Sequence, residues 1–276
     1  MNKYMEELTQ MLQTGLEEYA TSEKYRDLLR VMSLFHNYSA NNCLLIALQC
    51  PHASYVAGYT SWRSNFHRQV RKGEKAIRII SPVKYKKKNE EDKEKEYLGF
   101  KSASVFDISS TYQIPDKEPV TIGVEDLQGH VENYKDFLHA FQSISPVPVD
   151  FCLFDGDARG YYSDTEKIIV IQDGMTERQS VKTLVHEIAH AMLHTKEQLQ
   201  ECKKDRKQKE LEAESVAYVV CEHFGFDSED YSFPYILSWG GKGFQDILKE
   251  SMSIIQKTAD KIITGVNRYF ENNNTK

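Results

Sequence analysis

Val181-Lys182-Thr183-Leu184-Val185-His186-Glu187-Ile188-Ala189-His190-Ala191-Met192-Leu193-His194 is the stretch on which the reading of this chain turns. Its apolar residues Leu184, Val185, Ile188, Ala189, Met192 and Leu193 recur at helical spacing, so an amphipathic helix facing a core is expected. Within it stands His186-Glu187-Ile188-Ala189-His190, the pattern His-Glu-x-x-His. Residues four apart share one helix face, so the two imidazoles can reach one metal ion. Glu187 is then placed as general base toward a water in the ion's open position, the arrangement of a zinc hydrolase. Histidines on a core-facing helix are costly to bury without a partner, and a metal supplies one.

A catalytic zinc needs a third protein ligand. The segment Lys209 to Cys221 is again helical in period, with Glu210, Ala213, Glu214 and Ala217 on one face. The small alanines allow close approach to the histidine-bearing helix, and either Glu210 or Glu214 can serve. Glu212 falls on a different face and reads as solvent-facing. His194 invites a longer motif with a third histidine ligand, but Lys196 stands where that motif continues, so His194 reads as a structural or supporting residue. The spacing of twenty residues from His190 to Glu210, with Glu214 four further on, resembles the thermolysin-like gluzincins. That resemblance implies Glu210 as ligand and Glu214 as the acidic residue that orients a metal-bound histidine. The polar stretch 195–208 reads as a loop or frayed helix end.

Two β-rich runs around a polar turn, Ala158 to Ile171, read as a hairpin ahead of the motif helix. An edge strand there would line a cleft to which a peptide adds by strand pairing. Tyr161 and Tyr162 are the residues placed to hydrogen-bond a tetrahedral intermediate, or else they are ordinary sheet aromatics.

The chain has 276 residues, enough for about two domains, and a net charge of −6. No apolar run is long enough to span a bilayer, and the first residues lack the apolar stretch of a signal peptide. The five cysteines, Cys43, Cys50, Cys152, Cys202 and Cys221, form no C-x-x-C pair and suggest reduced thiols, hence a cytoplasmic protein. Charge is uneven, with a positive excess before residue 118 and a negative one after it. Within 61–88, Arg63, Arg68, Arg71, Lys72, Lys75, Arg78, Lys84, Lys86, Lys87 and Lys88 face a single acidic residue, Glu74.

Helices are expected over 3–20 and 23–49, the second ended by Pro51. Residues 54–59 read as a strand or turn, followed by a short helix from Thr60 through Phe66. Ala76 to Ile80 and Tyr97 to Phe106 read as antiparallel strands, and the charge run from Lys84 to Glu96 as a solvated loop between them. Pro115-Asp116-Lys117-Glu118-Pro119 is the linker. Further on, a helix is expected around 136–143, a strand from Pro146 through Phe154, a polar aromatic segment over 226–234, and helices over 236–239 and 244–263.

A positive groove interleaved with aromatic faces binds single-stranded nucleic acid. Region 35–106 has both ingredients, with Phe35, Tyr38, Tyr55, Tyr59, Trp62, Phe66 and Tyr85 among the basic residues. Asn37, Ser39, Asn41 and Asn42 interrupt an otherwise apolar helix, so they either tie a core together or face a ligand.

Phe35-His36-Asn37-Tyr38-Ser39-Ala40-Asn41-Asn42, Val56 to Trp62, Val70 to Ile77 and Val105 to Ser109 resemble the N-terminal domain of ArdC-type antirestriction proteins. Thr183 to His190 and Glu210 to Tyr218 resemble the zincin-like domain of the same ArdC-like and LtrC-like proteins, and more distantly the ImmA/IrrE metallopeptidases. The resemblance spans roughly residues 30–265, and the run Asn89 to Glu96 is an insertion relative to its motifs. It implies a single-stranded-DNA-binding domain, a metallopeptidase-like domain, and protection of incoming mobile-element DNA during conjugation.

The combined expectation is an α+β chain of two domains, 1–118 for single-stranded DNA and 119–276 as a gluzincin-type zincin. One Zn²⁺ is held by His186, His190 and Glu210, with Glu187 as base and Glu214 and His194 behind the ligands. The residues nominated for DNA are Asn37, Tyr38, Asn41, Tyr59, Trp62, Arg63, Arg68, Arg71, Lys72, Lys75 and Arg78. The peptidase substrate is a protein or peptide, and no membrane is involved. A rival expectation is a non-catalytic DNA-coating factor whose metal site is structural.

Overall fold

The computed structural model describes residues 3–19, 22–88, 94–120, 134–153, 158–201, 203–226, 233 and 236–273. The chain is α+β and divides into two compact units, Met1–Glu18 with Asn41–Glu125, and Tyr19–Ala40 with Asp126–Lys276. This division differs from a single cut at 118. After α1 (Lys3–Glu18), helix α2 (Ser22–Leu34) folds with the second unit. Its apolar face explains why: Tyr25, Leu28 and Leu29 are fully buried, and the Tyr25 ring sits edge-on to Phe233 and Phe244.

In the first unit, α3 (Ala40–Gln49) is followed by β1 (Val56–Gly58), α4 (Tyr59–Ser64), β2 (Arg68–Val70), β3 (Ile77–Lys88), β4 (Glu94–Asp107) and β5 (Thr111–Gln113). One antiparallel sheet has the order β1-β4-β3, and β2 pairs with β5 in a second. The two strands β3 and β4 extend well into the segment expected as a loop. Strand pairing continues through Lys86↔Glu96 to Lys88↔Glu94, and only 89–93 lies outside the described residues. An ion pair across the ladder supports the extension, with Lys84 Nζ 3.3 Å from Glu96 Oε2.

The edge of β3 is closed by side chains of α3. Asn42 accepts from Ile80 N and donates to Ile80 O, both at 2.9 Å. Gln49 does the same for Arg78, at 2.9 and 2.8 Å. Each amide thus copies a strand neighbour and satisfies an edge that would otherwise be open. Asp107 plays a similar part at the turn, accepting from the backbone of Ser54, Tyr55 and Ser109 at 2.9, 3.1 and 2.9 Å.

The second unit contains α5 (Tyr134–Ile144), β6 (Val149–Cys152), β7 (Gly160–Ser163), β8 (Ile168–Gln172), α6 (Glu177–Leu193), α7 (Lys196–Glu201), α8 (Arg206–His223) and α9 (Ile236–Asn273). Its sheet has the order β6-β8-β7, with β6 parallel and β7 antiparallel to β8, which leaves β7 on an edge. Helix α6 lies between this sheet and α8, and α8 packs in turn on α2 and α9. Val181, Leu184, Val185 and Ile188 of α6 and Val216, Ala217 and Val219 of α8 are fully buried. Gly160 lets β7 approach α6: a Cβ there would meet Thr183 Cγ2 at 2.7 Å and the Val170 carbonyl oxygen at 3.1 Å.

Several elements differ from expectation. The helix expected over 23–49 breaks after Leu34. There the Gln256 side chain donates to the carbonyls of Phe35 and His36, at 3.0 and 2.8 Å, supplying partners that a continued helix would have given. Stretch 195–208 holds α7 and the cap of α8, where Asp205 accepts from Gln208 N at 2.7 Å. Helices 236–239 and 244–263 are one continuous α9. Strand β6 ends at Cys152; Phe154 lies outside the described residues, as does most of 226–234. Cys43, Cys50, Cys152 and Cys221 are free thiols, and Cys202 lies outside the described residues.

Candidate metal centre

Two capped helices bring the chemistry together. Thr176 caps α6 through Gln179 N, and His194 closes it, its N–H bonded to the His190 carbonyl at 2.8 Å. From α6, His186 and His190 face α8, which presents Glu210 and Glu214. His186 Nε2 and His190 Nε2 are 3.1 Å apart, and Glu210 Oε2 lies 3.6 Å from the first and 3.7 Å from the second. Among the described residues this is the one trio of His, Cys, Asp or Glu whose ligand atoms converge, all within 4.8 Å of one another.

The donor set fits a metal ion. Glu214 Oε2 is 3.1 Å from His186 Nδ1, so an ionised Glu214 accepts the ring hydrogen there and leaves Nε2 a lone pair facing inward. A lone pair, a second imidazole and a carboxylate pointing at one another repel unless a cation lies among them. The same field acts on protons. Burial opposes charge on His186, but Glu210 and Glu214 more than offset it and lift the ring to about 9. His190 is driven down to about 4, chiefly by burial and by the neighbouring His186 and His194 against the pull of Glu210. The two rings beside it hold Glu210 far below the usual carboxylate range. Lys182 Nζ, 3.4 Å from Glu214 Oε1, adds to the hold on that carboxylate.

The trio opens into a cavity of about 590 Å³ lined by Tyr161, Tyr162, Glu187, Arg206 and Lys209 as well as the histidines. Glu187 is 7% exposed, and burial raises its carboxyl above the ordinary glutamate value. A base poised upward in a cleft is suited to proton transfer nearer neutrality. Tyr161 is exposed at the cavity. Tyr162 contributes ring and backbone only, because its hydroxyl donates to Asp164 at 2.6 Å. That bond removes Tyr162 from the pair of hydroxyls expected to meet an intermediate.

Glu212 overturns its expectation. It is fully buried, not solvent-facing, and accepts from His194 Nε2, Lys204 Nζ and Ser251 Oγ. The face count was correct, but α8 is covered by α9 as well as α6, so the face turned from the metal is also interior. Nothing in the period of α8 alone could reveal that second cover.

The residues nominated for DNA come from both units. Asn37 and Tyr38 belong to the second unit and the rest to the first. Trp62 is fully buried with Ala57 and Val70, its Nε1 donating to the Phe106 carbonyl at 2.9 Å, so it cannot stack on a base. Its apolar bulk fills the small core between α4 and the strands, which composition alone did not separate from a surface ring. Arg78 lies over the Tyr4 ring at 3.9 Å, and Arg68 donates to Thr111 Oγ1 at 2.7 Å. Asn41, Tyr59, Arg63, Arg71, Lys72 and Lys75 are exposed. The β3–β4 ladder also carries exposed apolar and aromatic side chains outside the nominated set: Tyr85 and Tyr97 stack at 5.8 Å, and Leu98 and Phe100 are 63% and 61% exposed. Strand alternation through 82–86 carried the signal for Tyr85, hidden by reading 84–96 as a loop.

Comparison with known proteins agrees with this architecture. Residues 1–106 match the N-terminal domain of anti-restriction factor ArdC, and residues 147–221 match the IrrE N-terminal-like domain of peptidase family M78. By domain content and fold, the chain is similar to the ArdC-type proteins. The metal-free crystal structure of the antirestriction protein ArdC of plasmid R388 superposes with a TM-score of 0.57 at 20% identity, covering 85% of this chain and 86% of that one. The Mn(II)-bound structure of the same protein gives 0.54, also at 20% identity, covering 99% and 98%. An uncharacterized protein of Bacillus anthracis is 29% identical over 307 aligned positions, covering 95% of this chain and 51% of its own length. The chain thus spans about half of that curated relative. Among the described residues no helix is long and apolar enough to cross a membrane.

Proposed function

We propose that this chain is a zinc-dependent peptidase that acts on protein bound to single-stranded DNA, and that it protects incoming mobile-element DNA. The carrying observation is the convergence of His186, His190 and Glu210 beside the buried Glu187, in a chain that also has the ArdC N-terminal domain. His186, His190 and Glu210 would hold the ion, and zinc suits a set of two imidazoles and one carboxylate. Bound zinc supplies Lewis acidity toward a peptide carbonyl and toward water. Glu187 takes the proton of the attacking water on its carboxylate and returns it to the leaving amine. The edge strand β7 orders an extended peptide across the cavity, with Tyr161 beside it, and Arg206 and Lys209 favour acidic side chains there. For DNA, the exposed cations of the first unit meet phosphates while Tyr59 and the ladder aromatics Tyr85 and Tyr97 offer faces to bases.

Metal analysis of the purified protein tests the centre: close to one equivalent of zinc is expected in the wild type and none in His186→Ala. Glu187→Gln tests the chemistry. It should keep zinc and DNA binding and lose peptide cleavage; cleavage at the wild-type rate would sink the mechanism. Full DNA protection in cells by Glu187→Gln would favour a non-catalytic coat with a structural metal.

A further inference from the structure

The two histidine ligands are backed in different ways. His186 Nδ1 meets a carboxylate directly, whereas His190 Nδ1 meets another imidazole, His194 Nδ1, at 2.9 Å. Behind His194 stands Glu212 at 3.0 Å, fully buried in the second unit. Both Glu212 oxygens are occupied. Lys204 Nζ donates to them at 2.8 and 2.6 Å, Ser251 Oγ to Oε1 at 2.6 Å, and His194 Nε2 to Oε2.

For a neutral His194 ring, hydrogen bookkeeping along this row has one solution. An ionised carboxylate only accepts, so the hydrogen between Glu212 and His194 sits on Nε2. The Lys204 ammonium already balances the Glu212 charge, so the His194 ring has no unmatched anion to make it cationic, and its Nδ1 is a lone pair. His190 must then donate from Nδ1. Its Nε2 is left as a lone pair, aimed at the point where His186 Nε2 and Glu210 Oε2 converge. We infer that Glu212, acting through His194, is the positioning residue that fixes His190 in its metal-binding tautomer. The inference rests on the metal-centre reading given above. The row delivers to one ligand, across an interposed ring, what Glu214 delivers to the other directly. It draws on α6, α8, α9 and the segment before α8, so the ligand's orientation is tied to the packing of the whole second unit.

Chelator competition with Zn²⁺ on the full chain tests it. Glu212→Gln can place an amide N–H against His194 and reverse the row, and the expected loss of zinc affinity is about 10- to 100-fold, the usual range for residues behind a ligand. His194→Phe should lose a similar amount. Combining them should cost no more than His194→Phe alone, because Glu212 then has no ring to act through. Ser251→Ala, which loosens Glu212 but leaves the row intact, should bind within about 2-fold of wild type, the reference for a merely structural effect. Imidazole nitrogen NMR of the zinc-loaded protein should show the His194 hydrogen on Nε2, facing Glu212, and none on its Nδ1. Wild-type affinity in both single variants, or a His194 hydrogen on Nδ1, would overturn the inference while leaving the metal centre standing. A wild type that binds no zinc through His186 would instead remove the metal-centre reading itself. If Glu212→Gln does not fold, His194→Phe and the NMR assignment still decide the matter.

Discussion

The two units use polar side chains in opposite ways. In the first, Asn42, Gln49 and Asp107 are turned inward, and each serves backbone groups that the sheet and turns leave unpaired. Arg63, Arg71, Lys72 and Lys75 face outward. In the second, His186, Glu187, His190, His194, Glu210, Glu212 and Glu214 are gathered inside and serve chiefly one another. Polar groups that answer backbone explain themselves as structure. Buried ionisable groups that answer each other are costly to assemble, and their convergence on one point has a chemical reason. The comparison separates what holds this protein together from what it does.

The largest break comes from the inner set. Glu187→Gln should lower peptide hydrolysis by about 10²- to 10⁴-fold, the usual worth of a general base, with the unfolding midpoint and zinc content unchanged. A matching loss of stability would place Glu187 with the structural polar groups instead. Next in size is a core residue of the first unit. Trp62→Ala should cost about 3–5 kcal/mol, read as early unfolding of that unit, while zinc binding at the second persists. An exposed stacking ring would lose DNA binding at no cost in stability, so the two readouts place Trp62 on one side or the other.

How much was legible follows the same division. The His186–Glu187–His190 helix could be read from period and spacing, since i and i+4 fix a shared face whatever surrounds it. The β7–β8 hairpin was equally readable from its two β-rich runs around a polar turn. Glu212 was not, because burial of the far face of α8 depends on α9, some forty residues later, and helical period does not report a second cover. Trp62 failed for the converse reason: a ring between basic residues has the same composition whether it faces a core or a ligand. The Lys84–Glu96 run looked like a loop because its charges were read along the chain, whereas Lys84 and Glu96 pair across it. The break after Leu34 depends on Gln256, distant in sequence and close only once folded.

Smaller effects are expected on the outer face of the first unit. Tyr85→Ala with Tyr97→Ala removes a stacked pair that is 49% and 41% exposed. The double variant should weaken single-stranded DNA binding by about 10- to 100-fold and leave thermal unfolding nearly unchanged. Fluorescence titration at fixed salt reads the first and a melting curve the second. Undiminished affinity would move the binding face away from the ladder and toward Tyr59 and the exposed cations around it.

Asp107 gives the smallest effect and the sharpest control, since it is a buried carboxylate that serves only structure. Burial alone would raise its carboxyl, but hydrogen bonds from Ser109, Ser54 and Tyr55 outweigh that and hold it below the ordinary aspartate value. Its folded value is depressed, so its contribution is complete above the unfolded value near 3.8 and is lost as pH falls through the lower folded value. In Asp107→Asn, either orientation of the amide turns an NH₂ toward at least one backbone N–H that Asp107 now accepts. The expected cost is about 1–2 kcal/mol near neutral pH, shrinking below pH 3.8 as the wild type loses the same charge. Denaturant unfolding at both pH values measures the difference, and a cost that stayed constant would assign it to packing. Zinc affinity should not change at all, because Asp107 belongs to the unit whose polar groups answer backbone.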